Sequence, residues 1–372
     1  MKFTCTKSNI ASALSLVSGV AIKNFNLPIL NNILIKAEEQ KVEIISTNLE
    51  LAIIINIRAK VETPGSFTVP AKTLTEFINL LSDESVIFEL KENELQIKCA
   101  KSSTKIKGMS AEDFPVLPAA SEGNGYLLKT EELKKGLSQV IISMAKNDIR
   151  PELAGVLCNF EVGIDKFVMA ATDSYRLSEK KIKLEQGKEN FRIIIPAKTA
   201  QEIHRVISAN SENTGEKTVR VLLSESQIVI NYDNAQIISR LVDGQYPDYT
   251  QIIPNNFKTT AEFSVSQLSK EIKTASLFAS AVNGIILTFS PNDANIKISS
   301  TSTQTGEYIS EIEAKVEGEE FSILLNHRYL LDGLNNLSGD KGVFQIINAD
   351  SPCLLKEQSE TDCLYVIMPI RQ

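Results

Sequence analysis

The chain switches between two hydrophobic periods, and the switching recurs. Ile10, Ala13, Leu14 and Val17 fall on one face at helical spacing, directly after the extended stretch KFTCT (2–6). Such spacing predicts an amphipathic helix that buries that face. An extended start followed by a helix returns as YLLKTEELKKGLSQVI (126–141) and EFSVSQLSKEIKTASL (262–277). Period-two alternation comes next, at 31–50, 154–175 and 283–304, each time broken by a polar turn, which predicts paired strands. A second helical pattern closes the series in VPAKTLTEFINLL (69–81), IPAKTAQEIHRVI (195–207) and LNHRYLLDGLNNL (325–337). Pro70 and Pro196 fix φ where the first two of these helices begin, and Thr73 and Thr199 are placed to cap the first turn.

These elements keep one period. Pro70 and Pro196 lie 126 residues apart, and Pro196 and Asn326 lie 130 apart. Self-similarity at a fixed period marks a repeated structural unit. The 372 residues accordingly divide into three α+β domains, 1–122, 123–254 and 255–372, each with two helices packed on antiparallel sheets. Phe114-Pro115 and Tyr246-Pro247 end the first two domains alike, and the Pro-containing stretches 115–123 and 247–256 read as linkers.

Composition changes this picture little. Hydrophobic content of 43% with 23% charged residues belongs to a globular chain, and no apolar run approaches the roughly 18 residues of a membrane span. Lys2 and Lys7 followed by NIASALSLVSGVA (9–21) read as leading into an amphipathic helix instead of a signal peptide, because Asn9, Ser12, Ser15 and Ser18 interrupt the apolar run. Cys5, Cys99, Cys158, Cys353 and Cys363 are odd in number and lack CxxC spacing, so they read as thiols in a reducing cytoplasm. The net charge of −7 argues against a generic nucleic-acid coat.

Candidate chemistry is sparse. ATDSYRL (171–177) gathers hydroxyls, a carboxylate, a phenol and a guanidinium, but nothing supplies a base and an oxyanion donor around it. The two histidines, His204 and His327, fall in second helices without metal-ligand spacing and read as helical surface residues. Ser143 and Lys146 match an SxxK pattern by chance, with no companion motif, and no GxGxxG or GxxxxGK[ST] loop is present. No catalytic residue, metal site or cofactor is expected.

Motifs spread over the whole chain carry a resemblance. MKFT (1–4), LPILNNILI (27–35), VPAK (69–72), EDFPVLP (112–118), ATDSYRLS (171–178), IIIPAK (193–198), LVDGQYPDY (241–249) and YVIMPIRQ (365–372) stand in the order found in bacterial DNA polymerase III β subunits, the replication sliding clamps. The sequence resembles that family along its full length. The resemblance implies three clamp domains per chain and a homodimer closed head to tail into a six-domain ring around double-stranded DNA, with helices lining the hole. It also implies a non-catalytic processivity factor that holds no cofactor and enters no membrane. The partners it implies are the DNA polymerase III α subunit, other polymerases, the clamp loader and mismatch-repair proteins.

The charge distribution is compatible with such a ring. The six helical segments (7–24, 71–83, 130–146, 197–210, 265–280, 326–338) together carry +4 and leave −11 for the remainder. A ring that slides must hold DNA through backbone charge without reading bases. Lysines on helices are equally ordinary solvated faces.

Carried over position by position, the resemblance gives a peptide-binding cleft formed by Leu153, Thr172, Ser174, Tyr175, Arg176, Leu177, Pro247, Ile252, Val366, Met368 and Pro369. Leu177 and Val366 could instead be plain core, and Arg176 a surface ion pair. It places DNA contacts at Lys23, Asn24, Lys72, Lys146, Asn147 and Lys198. At the subunit interface it places Ile106 from one chain against Leu277 and Phe278 from the other, residues that could also be intradomain core. The chain departs from the family pattern in three places. Ser174-Tyr175 stands where Gly-His or similar is usual, Lys23-Asn24-Phe25 where an arginine is familiar, and Arg150-Pro151-Glu152 lacks the aromatic residues some members have.

Overall fold

The computed structural model describes residues 1–21, 26–82, 84–117, 124–146, 150–210 and 217–371. The described residues form six α-helices: α1 Lys7–Val17, α2 Ala71–Leu80, α3 Thr130–Ile141, α4 Ala197–Asn210, α5 Val265–Ala275 and α6 His327–Asn335. Their order along the chain repeats three times: strand, first helix, antiparallel strands, second helix, antiparallel strands.

Two compact units result, one from residues 1–131, 185–189 and 201–241, the other from 132–184, 190–200 and 242–372. In the first unit, an antiparallel sheet runs Lys60–Thr63, Lys2–Thr6, Ser85–Lys91, Glu94–Cys99, Ser102–Lys107. Another runs Gly65–Pro70, Asn32–Glu38, Lys41–Thr47, Leu51–Arg58, Ala235–Arg240, Gln227–Tyr232, Thr218–Leu223, Asn124–Lys129. Its junction pairs Ile53 with Ile237 and Ile55 with Ala235, so strands of the first and second repeats share one sheet.

In the second unit a long sheet runs Phe191–Pro196, Gly155–Glu161, Lys166–Thr172, Arg176–Gln186, Cys363–Ile367, Cys353–Glu357, Lys341–Ile346, Thr259–Ser264. Here the junction lies between Arg176–Gln186 and Cys363–Ile367, with Leu177 opposite Val366. A smaller sheet runs Phe321–Asn326, Gly284–Ser290, Asn295–Ser302, Gly306–Gly318. Strands buried on both faces need continuous apolar runs, which LAIIINIR (51–58) and FRIIIP (191–196) supply.

The helical face read from the sequence is the buried one: Ile10, Ala13, Leu14 and Val17 of α1 are all 1% exposed or less. Thr6 caps α1 and Ser264 caps α5, each accepting from a first-turn amide. At the other end of α1, Ser46 Oγ donates to Val17 O at 2.6 Å and Arg205 donates to the carbonyls of Ser15 and Leu16. Carbonyls left over at a helix C-terminus are thus met by donors, one of them cationic.

Several expectations need correction. Thr73 does not cap α2: Pro70 precedes the helix with no side-chain cap, because Thr73 already lies inside the first turn. Two helices end earlier than the segments 7–24 and 265–280: α1 stops at Val17, and α5 stops at Ala275, where a 3-10 turn takes over. Both histidines are half-buried, and desolvation by that burial pushes the His327 imidazole below its ordinary pKa. The stretch 247–256 is more than a linker, since Tyr249 opens a 3-10 turn and is buried beside Tyr246. All five cysteines are free thiols, four of them buried.

Candidate functional site

The stretch ATDSYRL makes a tight reversal between strands Lys166–Thr172 and Arg176–Gln186. Asp173 drives it: Oδ1 accepts from the amides of Tyr175 and Arg176, both at 3.0 Å, the self-capping turn that aspartate favours. Thr172 Oγ1 accepts from the Ser174 amide at 3.1 Å and donates to Arg176 O at 2.7 Å. Ser174 is left at φ 75°, in the left-handed region, and Tyr175 is lifted out to 63% exposure. The C-terminal segment docks alongside. The Met368 amide donates to Tyr175 O and the Ile370 amide to Leu324 O, each at 2.9 Å.

A groove of about 850 Å³ opens there. Of the sequence-predicted cleft residues, Ser174, Tyr175, Met368 and Pro369 line it. Val282, Asn326, Tyr329, Asp350, Pro352, Ile370 and Arg371 complete it. Val282 is 58% exposed, so a valine and a tyrosine stand in solvent beside Met368, Pro369 and Ile370. Exposed apolar side chains gathered in a concavity with a few polar groups mark a binding surface.

The other predicted residues do not line this groove. Leu153, Leu177 and Val366 are 4%, 0% and 1% exposed and belong to a buried cluster with Ala170, Ile194, Tyr246 and Tyr249. Ile252 packs against that cluster, Thr172 is buried, and Pro247 is exposed between the two buried tyrosines. The Tyr249 hydroxyl donates to Glu179 Oε2 at 2.5 Å, and burial raises its pKa.

Arg176 is also buried, at 3% exposure. Its Nε meets Asp173 Oδ2 at 3.1 Å, its Nη1 meets Asp332 Oδ2 at 2.5 Å, and the guanidinium lies 4.5 Å from the centre of the Tyr329 ring. Burial alone would lower the guanidinium's pKa, but Tyr365, Asp332 and Asp173 outweigh it and hold the pKa above the ordinary value.

Deeper in this unit, Glu360 accepts from Lys180 and Gln139 and pairs with Lys135 at 3.0 Å. Burial would raise the Glu360 pKa, but the hydrogen bonds from Lys180 and Lys135 win and lower it.

Each end third of the chain, and the middle third between them, matches one part of a single protein. Residues 1–118 match the N-terminal domain, 127–248 the central domain and 250–371 the C-terminal domain of the DNA polymerase III beta subunit. The chain belongs to the DNA polymerase III β subunit family. It is a sliding clamp of that type, with three clamp domains of helices on antiparallel sheets. The beta sliding clamp of Staphylococcus aureus (strain Mu50) is 27% identical over 100% of this chain and 99% of that one. The one from Bacillus subtilis (strain 168) is 28% identical over the full length of both. Among solved structures, a Pseudomonas aeruginosa clamp bound to griselimycin superposes with a TM-score of 0.93 at 25% identity, covering both chains fully. The B. subtilis clamp structure gives 0.92 at 27% identity, covering 100% of this chain and 99% of that one.

Seen as a clamp, the chain presents its other expected contacts unevenly. Lys72 and Lys198 are exposed at the second position of α2 and α4, equivalent places in two repeats, and Lys146 is exposed just beyond α3. Lys72 makes a surface pair with Glu76 at 3.8 Å. Lys23, Asn24 and Asn147 lie outside the described residues. Leu277 is 69% exposed, while Phe278 is half-buried and stacks on Tyr308 with ring centres 5.9 Å apart. Ile106, however, is 6% exposed: its strand mate Leu95 is in the core, and Ile106 points there with it. Sequence reasoning missed Leu80 and Ile309, which are 87% and 56% exposed. It also missed most of the groove. Ile370 and Arg371 stood within the C-terminal motif YVIMPIRQ, and Tyr329 shared a helix turn with Asn326, so some trace was there to follow.

Proposed function

We propose that two copies close head to tail into a ring that encircles duplex DNA without reading its sequence. The ring tethers a DNA polymerase, and its groove takes short apolar peptides from polymerases, the clamp loader and mismatch-repair proteins. The three domains run 1–122, 123–254 and 255–372. Lys72, Lys146 and Lys198, with Lys23, Asn24 and Asn147, hold the phosphate backbone loosely, and the chain itself catalyses nothing and works in the cytoplasm. One observation carries the reading: the groove where exposed Tyr175 and Val282 stand beside Met368, Pro369 and Ile370, on a chain matched throughout by one clamp family. Peptide side chains of Leu or Phe size would bury against these residues, and methionine adapts to varied shapes. Griselimycin, which the P. aeruginosa clamp structure carries, is a ready probe for the groove.

The deciding experiment is absolute mass by light scattering across a dilution series, followed by retention on circular against linear DNA. The expected result is a species of twice 41.0 kDa that stays on closed circles and slides off linear ends. A persistent monomer would overturn the ring and leave a peptide-binding adaptor.

A further inference from the structure

We infer that the second unit binds one buried water between α3 and the end of α6, and that this water does there what an arginine does in the first unit. Comparing the repeats shows the place. In the first unit Arg205 of α4 donates to Ser15 O at 2.8 Å and to Leu16 O, in the last turn of α1. Its Nε donates to Glu202 Oε2 at 2.8 Å, which holds the guanidinium in that direction. Counting from the first residue of each helix, Leu16 corresponds to Gln139 of α3, and Arg205 to Asn335 of α6. Asn335 is exposed, and its side chain is too short to repeat the arginine's reach. Here the second unit has a cavity of about 10 Å³, lined by Gln139, Ser178, Asn336 and Tyr365 among others.

The polar groups around the cavity suit a water. Gln139 is 3% exposed, and its Nε2 donates to Glu360 Oε2 at 3.3 Å. An ionised carboxylate only accepts, so the amide must turn Nε2 toward Glu360, which leaves Oε1 as an acceptor on the other side. That Oε1 is buried without a hydrogen-bond partner among the described residues, and so is Asn336 Nδ2, the end of the side chain that follows α6. One group accepts and the other donates. A water can take the proton of Nδ2 and give one of its own to Oε1. Its second proton faces Ser178, whose hydroxyl already pairs with Ser143 Oγ at 2.6 Å. A cavity of this size holds about one water, and buried waters make about three hydrogen bonds. Leaving both amide groups unpaired costs more than immobilising one water.

The test is a crystal structure of the full-length chain at a resolution that shows ordered water, with Asn336→Leu solved beside it. The wild type should show one water within hydrogen-bond distance of Gln139 Oε1 and Asn336 Nδ2. Asn336→Leu should show none, because it removes the donor and its methyl groups take up the space. In denaturant melts, Gln139→Ala and Asn336→Ala should each shift the unfolding equilibrium about tenfold toward the unfolded chain. The double variant should lose less than the product of the single losses, because each single change already breaks the shared water link. The two amides share no hydrogen bond of their own, so the coupling reports the water. A wild-type cavity without density, the two amides bonded directly to each other, or a fully multiplicative double variant would each overturn the inference. If Asn336→Leu does not fold, the wild-type density and the alanine variants still decide.

Discussion

Ser174 holds a backbone conformation that suits glycine. With φ at 75°, its Cβ crowds the following carbonyl, a cost of about 1–2 kcal/mol for an L-residue. The turn persists because Asp173 and Thr172 bond the amides of residues 174–176 and leave the chain no other path. Ser174→Gly removes the crowding but frees the unfolded chain by about 0.4–1 kcal/mol. The expected net is a gain of about 0.5 kcal/mol, read as a rise in denaturation midpoint at unchanged m-value. Ser174→Val should go the other way by more than 1 kcal/mol, since a β-branched residue tolerates this region least. A Ser174→Gly chain less stable than wild type would show that the Ser174 side chain contributes more than its backbone strain costs.

At the scale of elements, the helices and hairpins were legible because their periods are local. A face that must be buried repeats every 3.6 or every 2 residues whatever lies elsewhere, so Ile10, Ala13, Leu14 and Val17 announced α1 unaided. The site was legible only where it is local too. Ser174 and Tyr175 sit in one motif, and Met368 and Pro369 in another. The burial of Arg176 was not, because Asp332 lies 156 residues downstream and Tyr365 lies 189. Val282 comes from the turn before strand Gly284–Ser290, and Asp350 and Pro352 from the turn before strand Cys353–Glu357, far apart in the chain. The junction between Arg176–Gln186 and Cys363–Ile367 carries a titratable contact. Lys180 and Glu360 are 6% and 10% exposed, so removing one partner strands the other charge without water. Glu360→Gln should therefore cost about 3–5 kcal/mol at neutral pH. The sign with pH follows from the lowered Glu360 pKa. Its contribution is complete above the unfolded value of 4.5 and disappears as pH falls through the lower folded value. Denaturant melts at pH 7, 5 and 3 should show the wild type converging on Glu360→Gln as acid is added. Parallel losses in both chains would mean that Glu360 does not carry this part of the acid response.

On the scale of the whole molecule, two sheet edges differ in sign. Strand Ser102–Lys107 ends the five-stranded sheet and carries Lys105 and Lys107, with Lys101 just before it. Residues 306–313 of strand Gly306–Gly318 pair on one side with Asn295–Ser302 and carry Glu307, Glu311 and Glu313. An unpaired edge invites another chain, and charge is how such edges choose among partners. A basic edge on one copy meeting an acidic edge on the next is a head-to-tail contact, and two such contacts close a dimer. Lys105→Glu with Lys107→Glu would set acid against acid at both junctions of a homodimer, at a cost of several kcal/mol. Glu311→Lys with Glu313→Lys would set base against base. Each double variant should therefore run as a monomer near 41.0 kDa at concentrations where the wild type is twice that. An equal mixture of the two should dimerise, because every junction in a mixed pair joins opposite signs: one is the wild-type arrangement and the other is its reverse. High salt should narrow the difference between the variants and the wild type by screening the repulsion. If the mixture stays monomeric while the wild type is dimeric, these edges do not meet in the assembly, and Leu80, Leu277 and Ile309 would need another explanation for their exposure.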